Sequence, residues 1–155
     1  MLAKRGVMDL EDTPKRVLVV GTCGSGKSTT AKQIAEATGG DFLDLDEFHW
    51  LPNWTKRDRA ERKALIDAAV EADSWVAAGN YWRETPIETC DTIVWLDFSY
   101  ARTLWQLLCR TVDRVFCKRS VCNGNHETFR LAFCSSESIL VWFFRTYWRN
   151  RNILL

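Results

Sequence analysis

Residues 16–29 read RVLVVGTCGSGKST, and they join a short β-branched apolar run to a glycine-rich loop. Arg16 to Val20 has the composition of a buried strand, and the glycines that follow end it. Gly21 to Ser28 then matches G-x4-G-K-[ST] in full. Gly21, Gly24 and Gly26 permit backbone turns that aim successive N–H groups inward at phosphate oxygens. Thr22, Cys23, Ser25 and Thr29 complete the cradle around them. The helix opening near Lys27 adds the positive end of its dipole. In this pattern Lys27 reaches the β- and γ-phosphates of a nucleotide, and the Ser28 hydroxyl ligates magnesium. A strand before the loop and a helix after it are the context that the motif requires.

Working outward, Ala31, Ile34, Ala35 and Thr38 keep helical spacing until Gly39-Gly40 supplies a stop. A second strand, Phe42 to Leu45, ends among Asp44, Asp46 and Glu47. A Pro/Trp loop covers Trp50 to Trp54. Thr55, with Asp58 three residues on, resembles an N-terminal cap. The spacing predicts a helix from there to about Glu71, with Leu65, Ala68 and Ala69 facing inward. Trp75 to Ala78 reads as a third strand ending at Gly79-Asn80, and Thr92 to Leu96 as a fourth ending at Asp97. Ser99 can cap the next helix, whose stripe of Leu104, Leu107, Leu108, Val112 and Val115 should face the core. Short apolar strands alternating with helices imply an α/β fold with a parallel sheet covered on both faces. Right-handed crossovers place every strand's C-terminal end on one edge, where ligands bind. The phosphate loop, Asp44, Asp46, Gly79-Asn80 and Asp97 all fall there.

Composition narrows the classes. The 155 residues carry 21 Lys plus Arg against 20 Asp plus Glu, so global charge argues for neither a nucleic acid nor a membrane partner. Eight tryptophans are many for this length and are expected mainly as packing residues. Met1 to Pro14 lacks the apolar stretch of a signal peptide, which makes residues 1–14 a loose extension and 15–155 the domain. The longest apolar run, Ile139 to Phe144, is too short to span a bilayer, and a cytoplasmic protein is expected. Its six cysteines are then expected as reduced thiols. Cys117, Cys122, His126 and Cys134 have the spacing C-x4-C-x3-H-x7-C, which fits no tight zinc pair, so buried or incidental thiols are expected and a zinc-stabilised lid is the alternative.

Two carboxylates at Asp44-x-Asp46 could hold magnesium-bound water and orient or deprotonate an acceptor hydroxyl, or they could cap the next turn. Asp97 could reach magnesium through water from its strand end, or be an ordinary turn acid. Arg110, Arg114 and Lys118 repeat every four residues, with Arg102 on roughly the same side. They form either a solvated face or a mobile lid whose arginines close on the triphosphate. A polar loop follows from about Lys118 to Asn125, then two helical stretches broken near Ser135-Ser136. The chain has no guanine-reading N-K-x-D segment and is short for a motor ATPase, whereas small kinases fit its length.

Several segments together resemble the small bacterial P-loop kinases known as adenylate-kinase-like or DNA topology modulation (FlaR-related) proteins. They are GTCGSGKST at Gly21 to Thr29, LDEFHW at Leu45 to Trp50, PNW at Pro52 to Trp54, GNY at Gly79 to Tyr81, DTIVWLD at Asp91 to Asp97 and NHE at Asn125 to Glu127. The resemblance implies a three-layer P-loop NTPase fold with strand order 2-3-1-4 and a helical lid around residues 110–130. It also implies ATP with Mg2+, and a nucleotide and a small-molecule acceptor as partners. Catalysis then falls to Lys27, Asp46, Arg110 and Arg114, metal contact to Ser28, Asp44 and Asp97, and acceptor contact to Asp46, His49, Trp50, Asn80 and Tyr81. The Asp44-x-Asp46 placement is also similar to that of shikimate kinases. Two departures stand out. Relatives often carry Asp before the GNY segment where this chain has Ala78, which shifts any metal-water role to Asp44 or Asp97. They also continue into a fifth strand, so a sheet ending at Leu155 would expose an edge and favour a homodimer over a monomer, or lose stability. The expected activity is ATP-dependent phosphoryl transfer to an undefined small acceptor. The alternative is a non-catalytic nucleotide-binding regulator acting on DNA or a protein partner.

Overall fold

Val17, Leu18, Val19 and Val20 are all buried, which a strand achieves only when both of its faces are covered. They belong to β1 (Arg16–Gly21). In the computed structural model, which describes residues 13–79, 84–85, 87–134 and 138–154, three further strands join it: β2 (Asp41–Asp44), β3 (Trp75–Ala78) and β4 (Thr92–Leu96). All pairings are parallel, with Leu18 opposite Ala77 and Ile93, and Leu43 opposite Ala77. The order is β2-β3-β1-β4, the 2-3-1-4 arrangement expected of the P-loop fold.

The period of two along β1 divides the core. Val17 and Val19 pack with Ala31 and Ala35 of α1 (Lys27–Thr38) and with Val76 and Ala78. Leu18 and Val20 pack on the other face with Leu45, Ile66, Val70, Trp75 and Ala77. Leu45 opens the short α2 (Leu45–His49), and Ile66 lies on α3 (Arg59–Ala69). Each fully buried Leu, Ile or Val contributes about 1.5–3 kcal/mol of transfer free energy, so these two layers hold the sheet edge rigid. A third cluster joins Cys23 of the phosphate loop to Leu107 of α4 (Tyr100–Phe116) and to Phe143 and Tyr147 of α5 (Ile139–Leu154).

Local expectations are corrected at three places. The α3 cap is Asp58, whose carboxylate accepts from Ala60 N and Glu61 N; Thr55-Lys56 instead pairs antiparallel with Trp50-Leu51 as a small hairpin. Starting the helix at Arg59 turns its inner face to Arg62, Ile66 and Val70, leaving Leu65 37% exposed. On α4 the buried line is Thr103, Leu107 and Thr111, with Val112 exposed, because the helix turns Thr103 and Leu107 against Gly24 of the phosphate loop. Trp75 is fully buried, whereas Trp105, Trp142 and Trp148 are exposed. The N-terminal extension lies outside the described residues apart from its last two. Among the described residues, no helix is long and apolar enough to cross a membrane.

Candidate functional site

The phosphate loop is shaped by what it rests on. Gly24 has a left-handed φ of 86°, and a Cβ there would stand 2.9 Å from both Leu107 Cβ and Thr103 O, so α4 lies directly against the loop. Gly26, at φ 88°, ends the loop as the N-cap of α1 with no side-chain cap, and nothing lies within 4 Å of where its Cβ would be. The first N–H groups of α1 therefore face an open cradle, the arrangement that binds an anion. Lys27 is buried, with Nζ donating to Thr22 O at 3.0 Å, and burial pulls its pKa below the ordinary lysine value. The buried Ser25 hydroxyl has no hydrogen-bond partner among the described residues. An unsatisfied hydroxyl, a bare helix start and a buried cation fit a bound phosphate group. Among the described residues, no three His, Cys, Asp or Glu side chains gather into a metal site. Were magnesium bound beside the phosphates, Ser28 at the head of α1 would be the residue to hold it.

The acids lie at the end of β2. Asp44 caps α2, its Oδ1 accepting from Asp46 N at 3.0 Å. Burial, then the neighbouring charge of Asp46, pushes the Asp44 pKa up to about 6. Asp46 Oδ1 packs near Gly79, where an added Cβ would be 3.2 Å away. The charges of Asp46, Arg110 and Asp44 all reach Lys27, so the loop lysine, the acid pair and this arginine of α4 lie near one another. Asp97 is placed differently. It is exposed beyond β4, at the opposite edge of the sheet from β2, and three strand spacings put the two strands about 14 Å apart. A polar cleft lined by Lys15, Arg16, Asp73 and Asp91 occurs at the other, N-terminal edge of the sheet, away from these groups.

The arginines of α4 do not form a solvated face. Arg110 Nη2 donates to Cys23 Sγ at 3.7 Å, and its Nε is buried without a partner among the described residues. Arg114 Nη1 donates to Glu127 Oε1 at 2.8 Å. Glu127 Oε2 is likewise buried and unpartnered. Lys118, predicted to share this face, falls past the helix end at φ 47°, and Arg102 turns its guanidinium over the Phe98 ring. A hairpin pairing Ser120-Val121 with Asn125-His126 follows. It docks on α2 and the segment after it: Asn123 Nδ2 donates to Glu47 O and Trp50 O, and Asn125 Nδ2 to Leu51 O. In return Trp54 N donates to Asn125 Oδ1 at 2.7 Å. Burial and the facing Asp46 and Asp44 push the Cys122 thiol up to about 12, so it is a neutral thiol over the acid pair. Cys23, Cys90, Cys109, Cys117 and Cys122 are free thiols.

His49 and Trp50 follow the acids on α2, their rings meeting edge to face at 4.5 Å. Asn80 and Tyr81, predicted to contact the acceptor, lie outside the described residues. Arg62 and Glu84 were missed: Arg62 is buried against His49 Nδ1 at 2.7 Å and grips Glu84 with two hydrogen bonds of 2.7 Å. No local motif marks this trio, because His49 on α2, Arg62 on α3 and Glu84 beyond β3 are far apart in sequence and meet only in the fold. Glu127 was noticed only as part of the NHE stretch.

Parallel sheet, phosphate loop and helical layers define an α/β protein of the P-loop fold. Comparison with known proteins finds similarity to two gluconokinases. A stretch of 44 residues is 46% identical to a gluconokinase from Arabidopsis thaliana, and it spans 28% of this chain and 23% of that protein. The chain thus matches less than a quarter of that relative's length. A gluconokinase from Sinorhizobium meliloti 1021 superposes with a TM-score of 0.48 at 21% identity, over 86% of this chain and 75% of that one. No family model matches. The narrower DNA topology modulation assignment finds no counterpart among these comparisons.

Proposed function

We propose that the chain is an ATP- and Mg2+-dependent phosphotransferase acting on a small hydroxyl acceptor, a cytoplasmic monomer or homodimer whose segment 110–130 serves as a lid. One observation carries this reading: the open cradle of Gly21 to Ser28 holds Lys27, has Arg110 against its Cys23, and lies close enough to Asp46 for that charge to act on Lys27. The acceptor oxygen bonds to the terminal phosphorus as the bond to the bridging oxygen breaks, and ADP leaves. Asp46 orients the attacking hydroxyl and takes its proton. Lys27, the loop N–H groups and Arg110 stabilise charge on the transferred oxygens. Magnesium would be held by Ser28 and, through water, by Asp44, and would neutralise charge shared by the β- and γ-phosphates. The 44-residue identity to a gluconokinase supports a kinase reading.

The test is ATP consumption with a panel of hydroxyl acceptors, using Lys27→Ala as control. Losing one preorganised charge-stabilising donor costs about 3–4 kcal/mol at the transition state, so kcat/KM should fall about 10²–10³-fold. ATP turnover undiminished in Lys27→Ala would overturn the mechanism.

A further inference from the structure

The acceptor side carries an arrangement that phosphoryl transfer alone does not use. Arg62 donates through Nε to Glu84 Oε2 and through Nη2 to Glu84 Oε1, while its Nη1 meets His49 Nδ1, each at 2.7 Å. A guanidinium stays protonated and has no lone pair to offer, so Nδ1 must be the acceptor. The proton of a neutral imidazole is then on Nε2. Burial and the adjacent Arg62 hold the His49 pKa below its ordinary value; Lys56 acts the same way, while Asp46 and Glu84 oppose. His49 follows Asp46 by three positions on α2, so the two share a helix side.

Among the described residues, several of the charges around this pair already have partners. Glu84 is kept ionised by the Arg62 hydrogen bonds, and Arg59 Nε lies 3.6 Å from it. Arg57 bonds Phe48 O and Glu61, and Lys56 sits over the Trp50 ring. Asp44, Asp46 and Glu47 meanwhile concentrate negative charge at the acceptor edge. An entering carboxylate or phosphate would face like charge, and could gain Arg62 only by breaking a buried bidentate pair.

We propose that Glu84 and Arg62 are positioning residues that fix His49 as a neutral Nε2–H donor, and that the acceptor it meets is an uncharged polyhydroxyl compound, a neutral sugar or polyol. The site rests on the phosphotransferase reading; the binding test does not require turnover. Asp46 accepts from the hydroxyl that reacts, and His49 donates to the oxygen of a neighbouring one.

Calorimetric titration of the full chain, loaded with a non-hydrolysable ATP analogue and magnesium, compares glucose with gluconate and glycerol with glycerol phosphate. In at least one pair the neutral member should bind about tenfold or more tightly than its anion. Equal or tighter binding of the anion in both pairs, or binding of none of the four, overturns the proposal. A neutral compound that binds but is not phosphorylated leaves the selection standing and sinks the phosphotransferase reading instead. Nitrogen NMR of the two histidines gives a second readout that activity does not touch. His49 should show the neutral Nε2–H pattern at about pH 7, and Arg62→Gln should return it to titration near 6.5 while raising acceptor KM more than it lowers kcat. An Nδ1–H or cationic His49 in the unaltered protein overturns the proposal. Glu84→Gln, which keeps Arg62 but releases it, should improve gluconate binding about tenfold; no improvement in a folded variant counts against the proposal.

Discussion

Replacing Asp44 with Asn should stabilise the fold and damage its chemistry at the same time. An ordinary aspartate ionises near 3.8, whereas burial and Asp46 raise Asp44 to about 6. The unfolded chain therefore releases this proton first as pH rises. Between about pH 4 and 6 the fold loses stability, and above pH 6 the full cost applies. At about 1.4 kcal/mol per pH unit, the separation amounts to roughly 3 kcal/mol, which partial exposure and solvent screening reduce to about 1–2 kcal/mol. Asn caps a helix as well as Asp does, so the bond from Asp46 N survives the change. Urea unfolding of Asp44→Asn should show a gain of about 1–2 kcal/mol at about pH 8, and little gain at about pH 4. An equal gain at both values, or none at about pH 8, would refute the buried-charge account. ATP turnover should meanwhile fall about 10–100-fold, the usual loss when a group orienting a metal's water is removed. Natural sites commonly retain such unfavourable charges because function needs them.

Two further changes probe the supports of the site. Gly24→Ala places a methyl 2.9 Å from Leu107 Cβ and Thr103 O at a left-handed backbone angle, and should cost about 2–4 kcal/mol and weaken ATP binding. Denaturant melts and calorimetry check this, and a near-native stability would mean that α4 is not seated on the loop. Asn125→Ala removes bonds to Leu51 O, Cys122 O and Trp54 N, about 2–3 kcal/mol of local stability. Amide exchange should then speed up about 30–100-fold in residues 120–126 and stay unchanged in β1. Uniform acceleration would show that the hairpin is part of the global core.

The strands and the loop were legible because their signals are local. Val17 to Val20 need only a period of two and a glycine stop, and Gly21 to Ser28 needs only its own backbone. The same reasoning misplaced the start of α3, since Thr55 and Asp58 both look like caps until Trp50-Leu51 claims the Thr55 strand as its partner. It could not separate Asp97 from Asp44 either. Both end apolar strands, and only the strand order puts them at opposite edges.

The arginines show most clearly where local reading stops. Spacing by four puts Arg110, Arg114 and Lys118 on one helix side, but it does not say whether that side meets water. Gly24 decides it. By letting α4 settle against the phosphate loop, it turns Arg110 toward Cys23 and Arg114 toward Glu127, and the helix ends before Lys118 can follow. Arg110 and Arg114 are thus placed by the packing of α4 on the glycine loop. A substitution that lifts α4 off the loop should disable nucleotide binding and arginine placement together, even though it touches neither an arginine nor Lys27.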